Sequence, residues 1–413
     1  MTVSRSLPLV LVAAVTIAVG AVAAGQQSGA GIVFLEDRVA RDPDDILALN
    51  MLADLYLDRL GEGGDDADLT RAADAVQRSM ASVPAELNGA AIAVQVRVDQ
   101  ASHRFEQARV GAARLVAAMP REGGYHALLG SALLELGRVD DAAKAFATAE
   151  HLDGKQIHTQ SGLANIARVR GQDAIGLQHL QTALALAEAH FPPAAPVIAW
   201  AHAQIGQYWF VRGRWSEAQS EYLRALTAVS DHLLTREYLA ELAAARGDYA
   251  AASDEYQQVI ARSSRPEFKQ ALGDVLTLAN KPLEAQRLYD QALEGYLHSV
   301  RSGHVHYYHH LTGFFSDSRP DGKAAVSWAR KDLALRQSVG AYDAYAWALY
   351  VDGQFDVAAE AAARALRFGT DDAHVLYHAG MIASRQGNIE RGAELLQRAV
   401  QVNPHYYSFH VHR

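Results

Sequence analysis

Histidine is the residue type in this chain with the most chemistry to offer. There are 18, unevenly spread: His304, His306, His309 and His310 cluster, and His405, His410 and His412 end the chain. Two pairs, His306/His310 and His374/His378, have the i, i+4 spacing that puts both imidazoles on one face of a helix. Imidazole is the commonest metal ligand, and such a pair would suit copper, nickel or zinc. Two ligands do not complete a site, and local spacing offers no third ligand or carboxylate. Packing or solvated histidines are therefore the competing reading.

Other chemistries leave little trace. The chain has no GxxxxGK, GxSxG, HExxH or dinucleotide glycine fingerprint. Asp and Glu are scattered, without an obvious catalytic pair. The acidic stretch GEGGDDAD at 61–68 lacks the alternating ligands and terminal glutamate of a calcium loop, and reads as a solvated loop. With no cysteine, disulfides, thiolate catalysis and thiolate metal sites are excluded. The expectation is a protein that is not an enzyme and carries no cofactor. Lys and Arg number 38 against 47 Asp and Glu, a net charge of −9. Phosphate binding favours a basic face, so no nucleic acid is expected as a partner.

What would position these side chains is a repeat. Residues 123–154, GGYHALLGSALLELGRVDDAAKAFATAEHLDG, read as two helices joined at Gly137. Leu129, Gly130 and Leu133 face inward on the first; Ala142, Phe146 and Ala149 share a face of the second. Gly130 and Ala142 let the backbones approach, and Phe146 fills the space beside them. The small residue opening the second helix recurs at Ala72, Ala108, Ala142, Gly176, Ala218, Ala252, Ala285, Ala325, Ala358 and Gly392. Twelve residues upstream, from the third repeat on, stand Gly130, Ala164, Gly206, Ala240, Gly273, Gly313, Ala346 and Gly380. Turn glycines recur at Gly137, Gly171, Gly213, Gly247, Gly353 and Gly387, with Asn280 in the equivalent place.

This pattern, with most steps near 34 residues, resembles the tetratricopeptide repeat. The resemblance implies an all-α, right-handed superhelical solenoid of ten helix-turn-helix repeats over residues 32–404. Two longer steps mark insertions: a lengthened helix ending at Phe191-Pro192-Pro193, and extra residues at 298–306. The C-terminal third, from HHLTGFFSDSRPDG through AYAWALYVDGQFDVAAEAAARALRFG to HVLYHAGMIA, is similar to exported bacterial repeat proteins.

Residues 7–24 carry no charge after Arg5, and read as a cleaved secretory signal or, being 18 residues long, as an uncleaved membrane anchor. Either implies export, to a periplasmic, extracellular or cell-surface place. A flexible linker is expected at 25–31 and a short tail at 405–413.

In the tetratricopeptide family the first helix of each repeat lines a concave, peptide-binding groove. Carried over, the lining residues are Asn165 and Arg168 of the fourth repeat and Trp200, Gln207 and Phe210 of the fifth. Glu237 and Glu241 follow in the sixth, Asp274 in the seventh, and Tyr307, His310 and Phe314 in the eighth. The ninth gives Asp343, Trp347 and Tyr350, and the tenth His374 and Tyr377. Aromatic side chains in a groove are favoured binding anchors; in a tight superhelix they pack between repeats instead. The expected function is a scaffold that holds a protein or peptide ligand, basic in its middle and apolar at its ends. A histidine-based metal-handling protein, through His306, His310, His374 and His378, is the alternative.

Overall fold

A computed structural model describes residues 25–84 and 87–406. The expected signal or anchor, and the tail beyond residue 406, lie outside them. Helix α1 (Gly25–Arg41) leads into ten helix pairs. The first five are α2 (Ile46–Gly61) with α3 (Asp66–Ser82), α4 (Gly89–Ala101) with α5 (Phe105–Ala118), α6 (Gly123–Glu135) with α7 (Val139–Asp153), α8 (Ile157–Val169) with α9 (Asp173–Ala189), and α10 (Ala195–Phe210) with α11 (Trp215–Ala228). The last five are α12 (Leu233–Ala245) with α13 (Tyr249–Ile260), α14 (Pro266–Leu278) with α15 (Pro282–Arg301), α16 (Tyr308–Gly313) with α17 (Gly322–Leu335), α18 (Val339–Val351) with α19 (Phe355–Leu366), and α20 (Ala373–Arg385) with α21 (Ile389–Val402). No strand occurs among the described residues. No helix among them is long and apolar enough to cross a membrane.

The small-residue columns do what their size allows. All ten residues opening the second helices are buried. So are the eight small residues upstream of them, and a Cβ on Gly206 would collide with the Tyr222 ring. The turn column adopts the left-handed backbone that favours glycine: φ is +70° at Gly137 and +59° at Asn280. Asp45 caps α2 by accepting from the Ala48 N–H at 2.9 Å. Both insertions lengthen second helices, α9 and α15.

Two expectations are corrected here. Residues 25–31 are helical, because α1 begins at Gly25 and its buried Ile32, Leu35 and Val39 join the first core cluster beside α2. The acidic stretch at 61–68 is not simply solvated. Asp68 is buried and bonded by Arg59, and Asp66 accepts from Ser299 at 2.9 Å and Tyr307 at 3.2 Å.

Those last two bonds span 233 and 241 residues, about seven repeat lengths of ~34 residues. They belong to a seam where the second turn of the superhelix docks on the first. The Gln337 N–H donates to the Glu135 carbonyl at 2.8 Å, and Arg367 donates to the Gly137 carbonyl at 2.6 Å. Arg336 lies 3.8 Å from Glu135. The His405 ring stacks on Trp215 with centroids 4.1 Å apart. Three successive turn glycines, Gly137, Gly171 and Gly213, lie on this seam. A Cβ on them would run into the Gln337 carbonyl, the Gly369 carbonyl and the Asn403 side chain respectively.

Candidate functional site

Closure of the two turns converts the concave groove into a central cavity of about 670 Å³. Its wall comes from both turns: Asn165 and Arg168 on α8, Trp200, Gln207 and Phe210 on α10, Glu241 on α12, and Asp343 and Trp347 on α18. His374 and His378 on α20 complete one side. The volume falls within the range of small-molecule and short-segment sites.

Nine of the sixteen groove residues expected from the repeat register line this cavity: Asn165, Arg168, Trp200, Gln207, Phe210, Glu241, Asp343, Trp347 and His374. Asn165 and Arg168 are exposed, while Trp200, Gln207 and Trp347 are half-buried. Arg168 stands 3.9 Å from Asp372, across the seam. Gln207 accepts from the Tyr222 hydroxyl at 2.9 Å. Trp347 joins an aromatic stack, with the Tyr350 ring at 4.7 Å and the His378 ring at 4.1 Å, both nearly parallel to it. Its indole N–H donates to Asp317 at 2.9 Å. Tyr350 and Tyr377 belong to this stack but do not line the cavity.

Tyr307, His310 and Phe314 are not groove residues. Tyr307 is 1% exposed and Phe314 0%, both within one core cluster. His310 packs between Tyr296 and Tyr307. The eighth repeat starts as a 3-10 turn at Val305–Tyr307 and ends its first helix as a π-turn at Phe314–Ser318, which rotates the side chains out of the family register. The acidic zone is corrected as well. Glu237 and Glu241 are 6% and 1% exposed. Arg265 meets Glu267 at 2.5 Å. Burial works against the Arg265 charge, and Glu267, Tyr307 and Glu237 outweigh it. Asp274 accepts from the Tyr289 hydroxyl at 2.8 Å and stands outside the cavity. These carboxylates balance charge inside the chain and do not present a row for a partner's lysines.

The two histidine pairs have different fates. His306 turns to Asp66, 3.4 Å away, while His310 lies in the core, so this pair shares no ligand set. Burial, with Arg265 and His306 nearby, pushes His310 well below the usual imidazole range. His374 and His378 do converge, and α18 brings Asp343 to them. Sequence placed Asp343 on the groove but gave no sign that it meets α20. A second convergence escaped the sequence reading altogether. His103, His309 and Asp332 come together at the seam. Burial, reinforced by Arg336 and neighbouring histidines, holds His103 and His309 well below their ordinary values.

A tetratricopeptide repeat model matches residues 94–157, 204–268 and 344–407. No curated protein matches the chain in sequence. Among solved structures, a human IFIT1 dimer with PPP-AAAA is 14% identical, with a TM-score of 0.47, over 90% of this chain and 94% of that one. TTC0263, a thermophilic repeat protein of Thermus thermophilus, is 19% identical over 43% of this chain and 91% of its own, with a TM-score of 0.38. PilF of Pseudomonas aeruginosa is 14% identical over 49% and 89%, with a TM-score of 0.40. The IFIT1 match corrects the exclusion of nucleic acid. That structure contains PPP-AAAA, and a net charge summed over a whole surface says nothing of the local field in a cavity. Ten stacked helix pairs with a recurring order of small residues, turn glycines and aromatics, and a repeat model that matches in three regions, place this chain in the tetratricopeptide-repeat family.

Proposed function

We propose that the chain is a non-enzymatic binding scaffold, exported from the cytoplasm, that admits a short protein segment into its central cavity. The observation that carries this reading is the 670 Å³ cavity with Trp200, Trp347, Asn165 and Arg168 on its wall. Two indoles supply large apolar area at little entropic cost, and the amide and guanidinium supply directional hydrogen bonds. The cavity favours a compact segment, such as a chain terminus or a loop tip, over a long helix laid along an open groove. Export rests on the charge-free run at 7–24. The absence of catalytic motifs supports a binding role.

The test is retention of an extracytoplasmic protein on purified residues 25–413, compared with Trp200→Ala and Trp347→Ala. Losing an anchor should weaken binding by about 2 kcal/mol or more. Equal retention by all three would remove the cavity from the account, and turnover of a small molecule would remove the scaffold.

A further inference from the structure

Asp343, His374 and His378 form a set of three metal-ligating side chains on the cavity wall. One donor atom from each lies within 4.8 Å of the others. His378 is 3% exposed and Asp343 8%, so the set is built into the fold and not scattered on its surface. The i, i+4 register of α20 brings the two imidazole rings to 4.0 Å, inclined at 62°. Trp347 lies flat against His378, with centroids 4.1 Å apart and planes within 12°, which fixes the ring's orientation. Asp372 accepts the His374 backbone N–H at 2.9 Å, which anchors the start of the helix that carries both rings.

The distances bear on geometry. The Nδ1 of His378 lies 3.0 and 3.1 Å from the two Asp343 oxygens. Two ligand atoms each about 2.1 Å from an ion are about 3.0 Å apart at a right angle, and about 3.4 Å apart at the tetrahedral angle. The observed 3.0–3.1 Å is an ordinary N–H···O hydrogen bond, and it already holds the two groups at a spacing that one ion can bridge. In the absence of an ion, the proton on Nδ1 bridges the two groups. Two imidazoles and one carboxylate on one face leave the remaining positions turned to the cavity.

The other convergent set shows what an unsuitable site looks like. There Arg336 donates from Nε to both Asp332 oxygens, at 3.0 and 3.1 Å, and its guanidinium charge sits where a cation would go. No arginine or lysine pairs with Asp343 among the ion pairs of the described residues; its partner is His378.

We propose that Asp343, His374 and His378 bind one divalent first-row transition ion, with its open positions facing the central cavity. This goes beyond the scaffold reading and stands or falls separately from it, since it requires no partner. The test uses the untagged chain, stripped with chelator and titrated with cobalt(II) chloride, read by calorimetry and visible absorption. The expected result is saturable binding of one ion per chain, with cobalt d–d absorption that grows to that stoichiometry. His374→Gln and Asp343→Asn should each lower affinity at least ~10-fold, with helical circular dichroism retained, and His103→Gln should leave it unchanged. X-ray absorption of the cobalt-loaded parent, expected to show two imidazoles, decides the matter even where a variant unfolds. No saturable binding, binding unaltered by both triad variants, or fewer than two imidazoles around the ion would overturn the proposal.

Discussion

Arg367 reaches across 230 residues of sequence to donate to the Gly137 carbonyl at 2.6 Å. The bond joins the ninth repeat to the third and closes one superhelical turn on the next. A solenoid whose repeats touch only neighbours gains stability one interface at a time. Here the seam adds contacts between distant repeats, and it is the seam that turns a groove into a cavity.

The seam glycines should therefore be more sensitive than the others. Gly171 (φ +65°) meets the Gly369 carbonyl and Asp371, whereas Gly387 (φ +85°) has nothing within 4 Å of where a Cβ would stand. Both Gly171→Ala and Gly387→Ala pay backbone strain of about 1 kcal/mol. Gly171→Ala should lose more, and small-angle scattering should show its superhelix opened. Equal losses in urea titrations and an unchanged radius of gyration would count against a docked seam.

Packing within a repeat makes a separate prediction. Gly206→Leu drives a side chain into the Tyr222 ring, whose hydroxyl is held by Gln207. Overpacking of this kind costs about 1–3 kcal/mol, read as a lower denaturation midpoint.

Acid should loosen the seam. His103, His309 and His310 are held neutral, mainly by burial, with Arg336 reinforcing this at His103 and His309 and Arg265 at His310. Their folded pKa values lie below the unfolded value near 6.5. Below that pH the unfolded chain binds more protons, so stability is full above about pH 6.5 and falls as pH drops from there. Each such histidine contributes up to about 1.4 kcal/mol per pH unit. The Asp66 carboxylate near His310 tempers the loss there. Urea midpoints at about pH 7.5 and 5.5 measure it, and His309→Leu should flatten the difference. A midpoint independent of pH would contradict the assignment of these rings as buried and neutral.

The N-terminus has its own test. Edman sequencing of the native protein should find a mature start near Ala24 or Gly25 if 7–24 is a cleaved signal, or an intact membrane-bound chain if it is an anchor. A soluble cytoplasmic chain with residues 1–24 intact would refute export.

Much of the fold is legible in the sequence because it is local. Gly206 lies 16 residues from Tyr222, and Gly130 with Phe146 and Gly273 with Tyr289 restate the same contact at the same spacing. The seam is not legible, because its partners are set by small rotations summed over many repeats. Nothing near Gly137 in sequence announces Gln337 or Arg367. The site was half legible for the same reason. Trp200 and Trp347 follow the family register and reach the cavity. Tyr307 and Phe314 do not, because 3-10 and π turns shift the phase of the eighth repeat. Asp343 occupies a readable groove position, but its meeting with His378, 35 residues away, depends on how α18 packs on α20.

The most direct measurement is site-specific photo-crosslinking of the partner. A benzophenone side chain placed at Gln204, on the cavity wall, is compared with one at Lys144, which is 81% exposed. The account predicts a cross-link from position 204 that disappears with Trp347→Ala, and none from position 144. A partner captured from position 144 and not from 204 would contradict it.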